Sequence, residues 1–305
     1  MKRALESLQS LAGKRLVIGL PYVWLLLFFA VPFLIVFKIS FSWMQPIQPG
    51  YAPLIAWVEE TQRFVATFNL SNYQVLLQDS LYLSTFVYSV KVAAVSTVLC
   101  LLVGYPMAYA IARCAPSTRN LFLMLIILPF WTSFLLRVYA WIGLLKTNGV
   151  INNTLLALGV IDQPLTLLYT DFAVYVGIVY SYLPFMILPL YANLEKHDLT
   201  LLEAAADLGA SPVKAFFKIT LPLSMPGIVA GCLLVFIPAV GEFVIPSLLG
   251  RTDQLMIGTV LSAQFFGARN WPVASAVAIV LLLLLLLPIL LFQRYQRREL
   301  EAAKR

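Results

Sequence analysis

Residues 203–222 read EAAADLGASPVKAFFKITLP and contain the most specific pattern in the chain. Three residues follow the opening Glu203-Ala204-Ala205 before Gly209, and nine more separate Gly209 from the closing Ile219, Leu221 and Pro222. Glu203 and Asp207 are four residues apart, so they share one face of a helix. Because the stretch lies between two long apolar segments, it predicts an amphipathic loop made of a short helix, a glycine hinge and a second short helix.

The local signals in this loop agree with that prediction. Asp198 or Thr200 can cap a first helix whose body is residues 201–208. Gly209 then stands where a helix ends in a left-handed residue, a conformation that glycine adopts at little cost. Ser211 and Pro212 restart the helix, with serine as the N-cap and proline at the first helical position.

The composition is that of a membrane protein. Hydrophobic residues make up 61% of the 305 residues and charged residues 11%, whereas soluble domains are about half apolar and about a quarter charged. A helix needs roughly 20 apolar residues to cross the hydrocarbon core. Six segments meet or approach that length, two of them with a single charge, Arg137 or Glu242, and we predict six membrane helices: 16–37, 92–112, 121–145, 172–194, 223–250 and 270–293.

Lysine and arginine are distributed unevenly between the segments that join these helices. If the N-terminus lies in the cytoplasm, fourteen of the 21 basic residues fall in cytoplasmic segments, as the positive-inside rule requires. Both termini are then cytoplasmic, and 16–295 is one six-helix membrane domain. The cytoplasmic segments are 1–15, the short connection with Arg113 and Arg119, the loop 196–222 and the basic tail 296–305. The long outer segment 42–81 is expected to be partly helical, and 146–171 forms a second outer loop.

Several function classes lack their sequence signals. The chain contains no G-x-x-x-x-G-K-[ST] phosphate loop, no G-x-S-x-G and no H-E-x-x-H. One histidine and three scattered cysteines offer no metal cluster. The net charge of +7 follows the membrane topology and forms no basic stripe on a soluble domain, so nucleic-acid binding is not indicated. The sequence therefore predicts no catalytic residue, no metal site and no cofactor bound by this chain.

The stretch 203–222 resembles the cytoplasmic EAA loop of permease subunits in type I bacterial ABC importers, and it matches the motif at each position. Other segments are similar to the polyamine branch of that family, and to its putrescine-type permease subunits in particular. These segments are SFLLRVYAWIGLLKTNGVINN (133–153), GVIDQPLTLLYT (159–170), FIPAVGEFVIPSLLG (236–250) and NWPVASAVAIV (270–280). The resemblance implies a polyamine permease of the bacterial inner membrane, for putrescine and with spermidine as a second candidate substrate.

The same resemblance implies an assembly of several proteins. A second, homologous permease would complete a heterodimer, and two copies of a separate ABC ATPase would bind ATP and Mg²⁺ and drive it. A periplasmic binding protein would deliver the polyamine. The residues implied to contact the ATPase are those of the EAA loop: Glu203, Ala204, Ala205, Asp207, Gly209, Ile219, Leu221 and Pro222.

A polyamine cation needs carboxylates and aromatic faces along its path through the membrane. Glu242 is the clearest candidate because ionisable groups within the membrane are costly and usually functional. It lies between Pro238 and Pro246 beside Gly241, which predicts a broken helix lining a cavity. Glu242 either attracts an ammonium group or forms a buried ion pair, with Arg137 or with the second permease.

A second candidate cluster lies on the fourth predicted helix. Asp171, Tyr175 and Tyr182 stand at i, i+4 and i+11, within about 40° of one another around the helix. Tyrosine rings can hold alkylammonium ions by cation–π contact, but tyrosine is also common at the membrane interface. Trp131 and Tyr139 on the third helix are weaker candidates for the same pathway.

Two other classes of function remain open from the sequence. A self-sufficient secondary transporter or channel for organic cations would not need the EAA loop, and it would usually show inverted repeats and more embedded charge. A membrane scaffold without transport activity would not need Glu242 to face a cavity. Co-purification of an ATPase would separate the three possibilities.

Overall fold

The computed structural model describes residues 16–47, 49–58 and 63–302, and most of these are helical. The helices are α1 (Leu16–Ser40), α2 (Ser71–Gln78), α3 (Ser80–Arg113), α4 (Pro116–Ile127), α5 (Phe134–Leu145), α6 (Val150–Ala157), α7 (Asp171–Leu194), α8 (Thr200–Asp207), α9 (Pro212–Leu223), α10 (Met225–Val240), α11 (Val244–Leu249), α12 (Ile257–Gly267) and α13 (Trp271–Ala302). Strands β1 (Ile55–Val58) and β2 (Arg63–Ala66) form an antiparallel pair.

Five helical segments of the described chain are long and apolar enough to cross a membrane. They are Leu16–Ser40, Ser80–Arg113, Phe134–Ala157, Asp171–Leu194 and Trp271–Leu290. A sixth span results if α9 and α10, which meet at an angle of 63°, are counted as one. The prediction of a helical, multi-spanning membrane protein is therefore confirmed, although the second predicted span begins earlier, at Ser80, and the third and fifth are interrupted.

The third predicted span, 121–145, is not one helix. The chain leaves α4 at Ile127, passes through a 3₁₀ turn at Leu128–Trp131 and begins α5 at Phe134. Thr132 is extended, with φ −95° and ψ 152°, and its hydroxyl donates to the Pro129 carbonyl at 2.7 Å. Proline cannot continue the helical ladder, so the break places Arg137 in the first turn of a new helix.

The fifth predicted span, 223–250, is interrupted as well. Helix α10 ends at Val240, and Gly241, Glu242 and Phe243 separate it from α11. The prediction of a broken helix between Pro238 and Pro246 is therefore confirmed, while the prediction of one continuous helix over this range is wrong.

The smaller of two compact units contains the chain up to Asp79 and Ala263–Leu282. Within it, the buried Asn72 side chain donates to the carbonyls of Ser40 and Ser42, each at 2.9 Å, and so satisfies groups at the end of α1. Tyr73 adds a hydroxyl–hydroxyl bond of 2.7 Å to Ser40. Asn72 and Tyr73 thus attach α2 to the end of α1.

The two segments predicted to lie outside the membrane are more structured than expected. Residues 42–81 contain the expected helix, α2, but also the β-hairpin, and α3 begins at Ser80. Glu59 and Glu60 of this segment lie outside the described residues, as do 1–15 and 303–305. The 146–171 segment turns at Asn148-Gly149, where the Gly149 N–H donates to the Lys146 carbonyl at 2.8 Å, and then forms α6.

The larger unit, Ser80–Ser262 with Leu283–Arg305, is built on α3, α7 and α10, which pack against one another. Its core contains Cys100 of α3, Met186 and Leu190 of α7 and Val235 of α10. A Cβ added at Gly231 would stand 2.7 Å from the Met186 sulfur and 3.1 Å from its carbonyl oxygen. Glycine therefore lets α10 approach α7 closely, as small residues do where membrane helices meet.

Candidate functional site

The EAA loop begins and restarts its helices as its sequence predicts. The Asp198 carboxylate accepts a hydrogen bond of 3.0 Å from the Thr200 N–H where α8 begins. This bond lowers the pKa of the Asp198 carboxyl, since it stabilises the charged form. The Ser211 hydroxyl accepts from the Lys214 N–H at 3.4 Å, with Pro212 at the first position of α9.

Gly209 forms the hinge between the two helices. Its φ is +75°, in the left-handed region. The Gly209 N–H donates to the Ala206 carbonyl at 2.8 Å, and the Ala210 N–H donates to the Ala205 carbonyl at 2.9 Å. These two bonds are those of a Schellman motif, which ends a helix at a left-handed glycine. The predicted hinge geometry is confirmed.

The EAA motif has an outer and an inner face. Glu203, Ala204, Asp207, Gly209 and Pro222 are exposed. Ala205 is buried, whereas Ile219 and Leu221 are half-buried. The loop therefore presents two carboxylates, a glycine hinge and the exposed Leu208 to its surroundings, while Ala205, Ile219 and Leu221 are covered to different extents.

An aromatic contact joins the loop to α3. Phe216 of α9 packs edge-on against Tyr105 and Tyr109, with ring centroids 5.7 and 6.2 Å apart. The Tyr105 hydroxyl and the Ser224 hydroxyl are 2.9 Å apart and hydrogen-bonded where α9 meets α10. Phe216 also packs on the buried core, so it connects the loop to α3 by direct contact.

Glu242 lies at the break between α10 and α11 and is only 7% exposed. One carboxylate oxygen accepts from the N–H groups of Phe243, Val244 and Ile245, at 3.1, 2.9 and 3.4 Å. The other accepts from the Tyr182 hydroxyl at 2.5 Å. Four donors suit an ionised carboxylate, which can only accept, so the chain holds this charge in a fixed position.

Glu242 and Tyr182 open onto a cavity of about 380 Å³. The other residues that line the cavity include four aromatic rings and one cation. They are Phe130, Phe134, Arg137, Ser181, Phe185, Pro238, Gly241, Phe243 and Val244. Aromatic faces around a carboxylate form an environment that binds organic ammonium ions.

The expected alternative of an ion pair between Glu242 and Arg137 is wrong. The two side chains line one cavity, but within the described ranges the ion pairs are Arg119–Glu195 and Arg251–Asp253. The carboxylate oxygens of Glu242 accept from Tyr182 and from backbone N–H groups instead.

The Asp171, Tyr175 and Tyr182 stripe does not form one site. Asp171 accepts a hydrogen bond of 2.9 Å from Tyr88 of α3, whereas Tyr182 donates to Glu242. Eleven residues of helix place Asp171 and Tyr182 about 16 Å apart along the axis, so a shared face does not imply a shared site. Tyr175 is half-buried and does not line the Glu242 cavity.

Trp131 and Tyr139 do not belong to the Glu242 site either. They are 76% and 56% exposed, and neither lines its cavity. Sequence reasoning missed Phe130 and Phe134, which do line it. Phe130 and Phe134 precede Arg137 by seven and three residues. This spacing was the sequence signal for a contact, because it allows the ring faces to meet the guanidinium near the start of α5.

Comparisons with known proteins identify the family of this chain. The family described as "Binding-protein-dependent transport system inner membrane component" matches residues 100–301. The spermidine/putrescine transport system permease protein PotB of Escherichia coli K12 is 42% identical over 275 residues, 90% of this chain and 94% of that protein. PotB of Haemophilus influenzae is 39% identical over 282 residues, 92% of this chain and 93% of that protein.

Solved structures share the fold at lower identity. A bacterial ABC transporter that imports the polysaccharide alginate has a TM-score of 0.69 at 17% identity, covering 97% of this chain and 99% of that chain. The MetNI methionine ABC transporter has a TM-score of 0.51 at 19% identity, covering 72% and 95%. The predicted permease architecture of type I ABC importers is thus confirmed. The chain belongs to the binding-protein-dependent transport system inner membrane components, as a multi-pass inner membrane permease subunit.

Proposed function

We propose that this chain is one permease half of an ATP-driven polyamine importer. The observation that carries the proposal is the buried Glu242 carboxylate, fixed at a helix break in a cavity lined by aromatic rings. The relatives named for spermidine and putrescine transport support the substrate class. An ammonium group entering the cavity meets a negative charge that needs no rearrangement to receive it.

The energetics favour a cation at this position. A carboxylate and an ammonium about 4 Å apart attract by about 4 kcal/mol at an effective dielectric constant of ~20, against about 1 kcal/mol in water. Aromatic faces add roughly 0.5–2 kcal/mol through cation–π contact. Phe185 and Phe243 line the same cavity and can offer such faces, whereas an anionic substrate would be repelled by Glu242.

Putrescine is the principal substrate in this proposal, with spermidine as a second one. The preference rests on the resemblance of residues 133–170 and 236–280 to putrescine-type permeases. A competition assay tests it directly: excess unlabelled putrescine should suppress uptake of labelled spermidine more strongly than spermidine suppresses uptake of putrescine. The opposite order would contradict the preference and leave the substrate class intact.

The energy for import would come from other proteins. In this proposal two copies of an ABC ATPase, with ATP and Mg²⁺, bind the exposed face of the EAA loop at Glu203, Asp207 and Gly209. A second homologous permease forms the other half of the pathway, and a periplasmic binding protein supplies the polyamine. Phe216 would then pass the movement of the loop to α3 through Tyr105 and Tyr109.

This mechanism requires the loop 196–222 and both termini to be in the cytoplasm. The distribution of lysine and arginine supports that orientation. The β-hairpin and α2 would then lie on the outer side.

The substitution Glu242→Gln tests the proposed substrate site. Glutamine keeps an amide oxygen that can accept from Phe243, Val244 and Ile245, so the helix break is retained while the charge is lost. We expect polyamine uptake by the complete complex to fall about tenfold or more, a factor that corresponds to only about 1.4 kcal/mol. Binding of labelled putrescine and spermidine to the purified complex should weaken in parallel.

The control is Asp162→Asn, which removes an exposed carboxylate between α6 and α7 that does not line the cavity. It should leave uptake at the wild-type level when both variants are present at equal amounts in the membrane. Wild-type uptake and a stable complex with Glu242→Gln would show that substrate does not use this carboxylate. A loss of complex yield would instead indicate a contact between Glu242 and the second permease.

A further inference from the structure

The guanidinium of Arg137 is held by aromatic rings. Its central carbon lies 5.2 Å from the centroid of Phe130 and 5.8 Å from that of Phe134. Its Nε is buried and has no hydrogen-bond acceptor in the part of the chain that the structure describes. A charged side chain within a membrane protein normally has a charged or polar partner, so this arrangement calls for a physical explanation.

The carboxylate in the same cavity does not supply that partner. One oxygen of Glu242 is used by backbone N–H groups at the start of α11, and the other accepts from Tyr182. Arg137 instead occupies ring faces, which is where an alkylammonium ion would also bind. The cavity therefore contains one fixed negative charge and, over its aromatic wall, one cation that belongs to the protein.

These two charges act on a polyamine in opposite directions. Glu242 attracts the first ammonium group, whereas Arg137 repels the next ammonium group from Phe130 and Phe134. A transport pathway must bind its substrate strongly enough to admit it and weakly enough to release it. A cavity with the carboxylate alone would hold a polycation more tightly, because the repelling charge would be absent.

We propose that Arg137 is a specificity-determining residue, a built-in cation that occupies the aromatic wall of the Glu242 cavity and limits how tightly a polyamine is held there. The inference rests on the proposed polyamine function and concerns the same cavity. It implies that a bound polyamine keeps one ammonium group at Glu242 and extends the rest of its chain away from Phe130 and Phe134. Spermidine, with its additional amine, is affected more than putrescine.

Two variants of the full chain, assembled with its partners, test the role of the charge. Arg137→Met removes the charge and keeps a long apolar side chain, whereas Arg137→Lys keeps the charge. Labelled putrescine and spermidine are bound to the purified complex by equilibrium dialysis, without binding protein or ATP. For Arg137→Met we expect Kd to fall about tenfold, equivalent to about 1.4 kcal/mol, with a larger fall for spermidine. Maximal uptake should decrease because release becomes slower.

The Arg137→Lys variant should keep the wild-type Kd, because the charge is retained. A purely structural role of the guanidinium would not predict this result. If Arg137→Met binds both amines like the wild type or more weakly, the inference about Arg137 is overturned. If the complex assembles with lysine but not with methionine, the charge instead holds a partner subunit or a lipid phosphate, and the inference is again overturned.

Glu242→Gln, measured in the same assay, separates this inference from the proposed function. Amine binding that is unchanged in Glu242→Gln would remove the cavity as a polyamine site, whatever Arg137→Met does. Weaker binding in Glu242→Gln, combined with no gain in Arg137→Met, would leave the proposed function standing and refute only the role of Arg137.

Discussion

The hinge at Gly209 can be tested by replacing it with valine. The residue has φ +75° and a Schellman hydrogen-bond pattern. A left-handed conformation costs a residue with a side chain about 1–2 kcal/mol, and β-branched valine tolerates it poorly. The strain is relieved if the turn opens, which would change the angle at which α8 and α9 meet. We therefore expect Gly209→Val to uncouple ATP hydrolysis from polyamine import.

The chain contains a matched control at the end of α6. Gly159 has φ +68°, its N–H donates to Leu156 at 3.0 Å, and the N–H of Val160 donates to Leu155 at 3.0 Å. A Cβ added at Gly159 or Gly209 would have no atom within 4 Å. Both substitutions to valine should therefore cost a similar 1–2 kcal/mol and lower the melting temperature by about 2–4 °C per kcal/mol.

The assay compares uptake of labelled putrescine with ATP hydrolysis in membranes that contain equal amounts of each variant. Gly159→Val should keep the wild-type number of amines imported per ATP. Gly209→Val should lower that number about tenfold or more, although the two proteins have lost similar stability. The strain alone cannot explain such a difference, because the local geometry is the same at both sites.

Equal coupling in the two variants would refute the reasoning. It would show that the left-handed turn at Gly209 serves only to end α8, as the turn at Gly159 ends α6. A loss of Gly209→Val from the membrane, without the same loss of Gly159→Val, would contradict the expectation of similar stability costs.

Two further predictions concern topology and the helix break. A reporter that is active only in the cytoplasm should be active when it is fused after Lys196 or at the C-terminus. A reporter that requires export should be active when it is fused near Asn148. The reverse result would exclude docking of an ATPase at the EAA loop. Gly258→Ala should destabilise the permease by about 1–3 kcal/mol and lower uptake, because the new Cβ would stand 2.3 Å from the Gly241 carbonyl oxygen. In the control Gly143→Ala the new Cβ would have no atom within 4 Å, so this substitution should leave stability unchanged or raise it by up to about 1 kcal/mol. Thermal unfolding of the purified complex distinguishes the effects of Gly258→Ala and Gly143→Ala.

Features that depend on neighbouring residues were predictable from the sequence. The left-handed Gly209 and the Ser211-Pro212 restart follow from conformational preferences of single residues, which act over one turn of helix. The break beside Gly241 was predictable for the same reason, since two prolines flank it within a short stretch. These signals need no knowledge of what packs against them.

Features that depend on the path of the chain were not predictable. Hydropathy does not distinguish one 25-residue span from two shorter helices, so the turn at Leu128–Trp131 was missed although Pro129 lies within it. The hairpin was missed because each of its strands has only four residues. Its Trp57 and Phe64 rings pack edge to face across the strands, with centroids 5.0 Å apart, a pair that can be identified only once the register is known.

In the candidate site, too, the local feature was predictable from the sequence and the contact between helices was not. Glu242 was identifiable as a charge within an apolar segment, but its partner Tyr182 is 60 residues away in sequence. The helical stripe assigned Tyr182 to Asp171 because angular position repeats along a helix while axial position does not. Contacts between helices, rather than the face of one helix, determine which groups meet: Asp171 contacts Tyr88 of α3.

Helix α10 connects the two candidate sites physically. It has 16 residues and is therefore about 24 Å long, with the EAA loop before its first residue and Glu242 after its last. Its ends are attached to different helices, through Ser224 to Tyr105 of α3 and through Glu242 to Tyr182 of α7. A helix held at both ends moves as a unit more readily than it bends, because its packed core resists deformation. We therefore expect a displacement of the loop to move the Glu242 carboxylate relative to Tyr182, which would release a bound ammonium group.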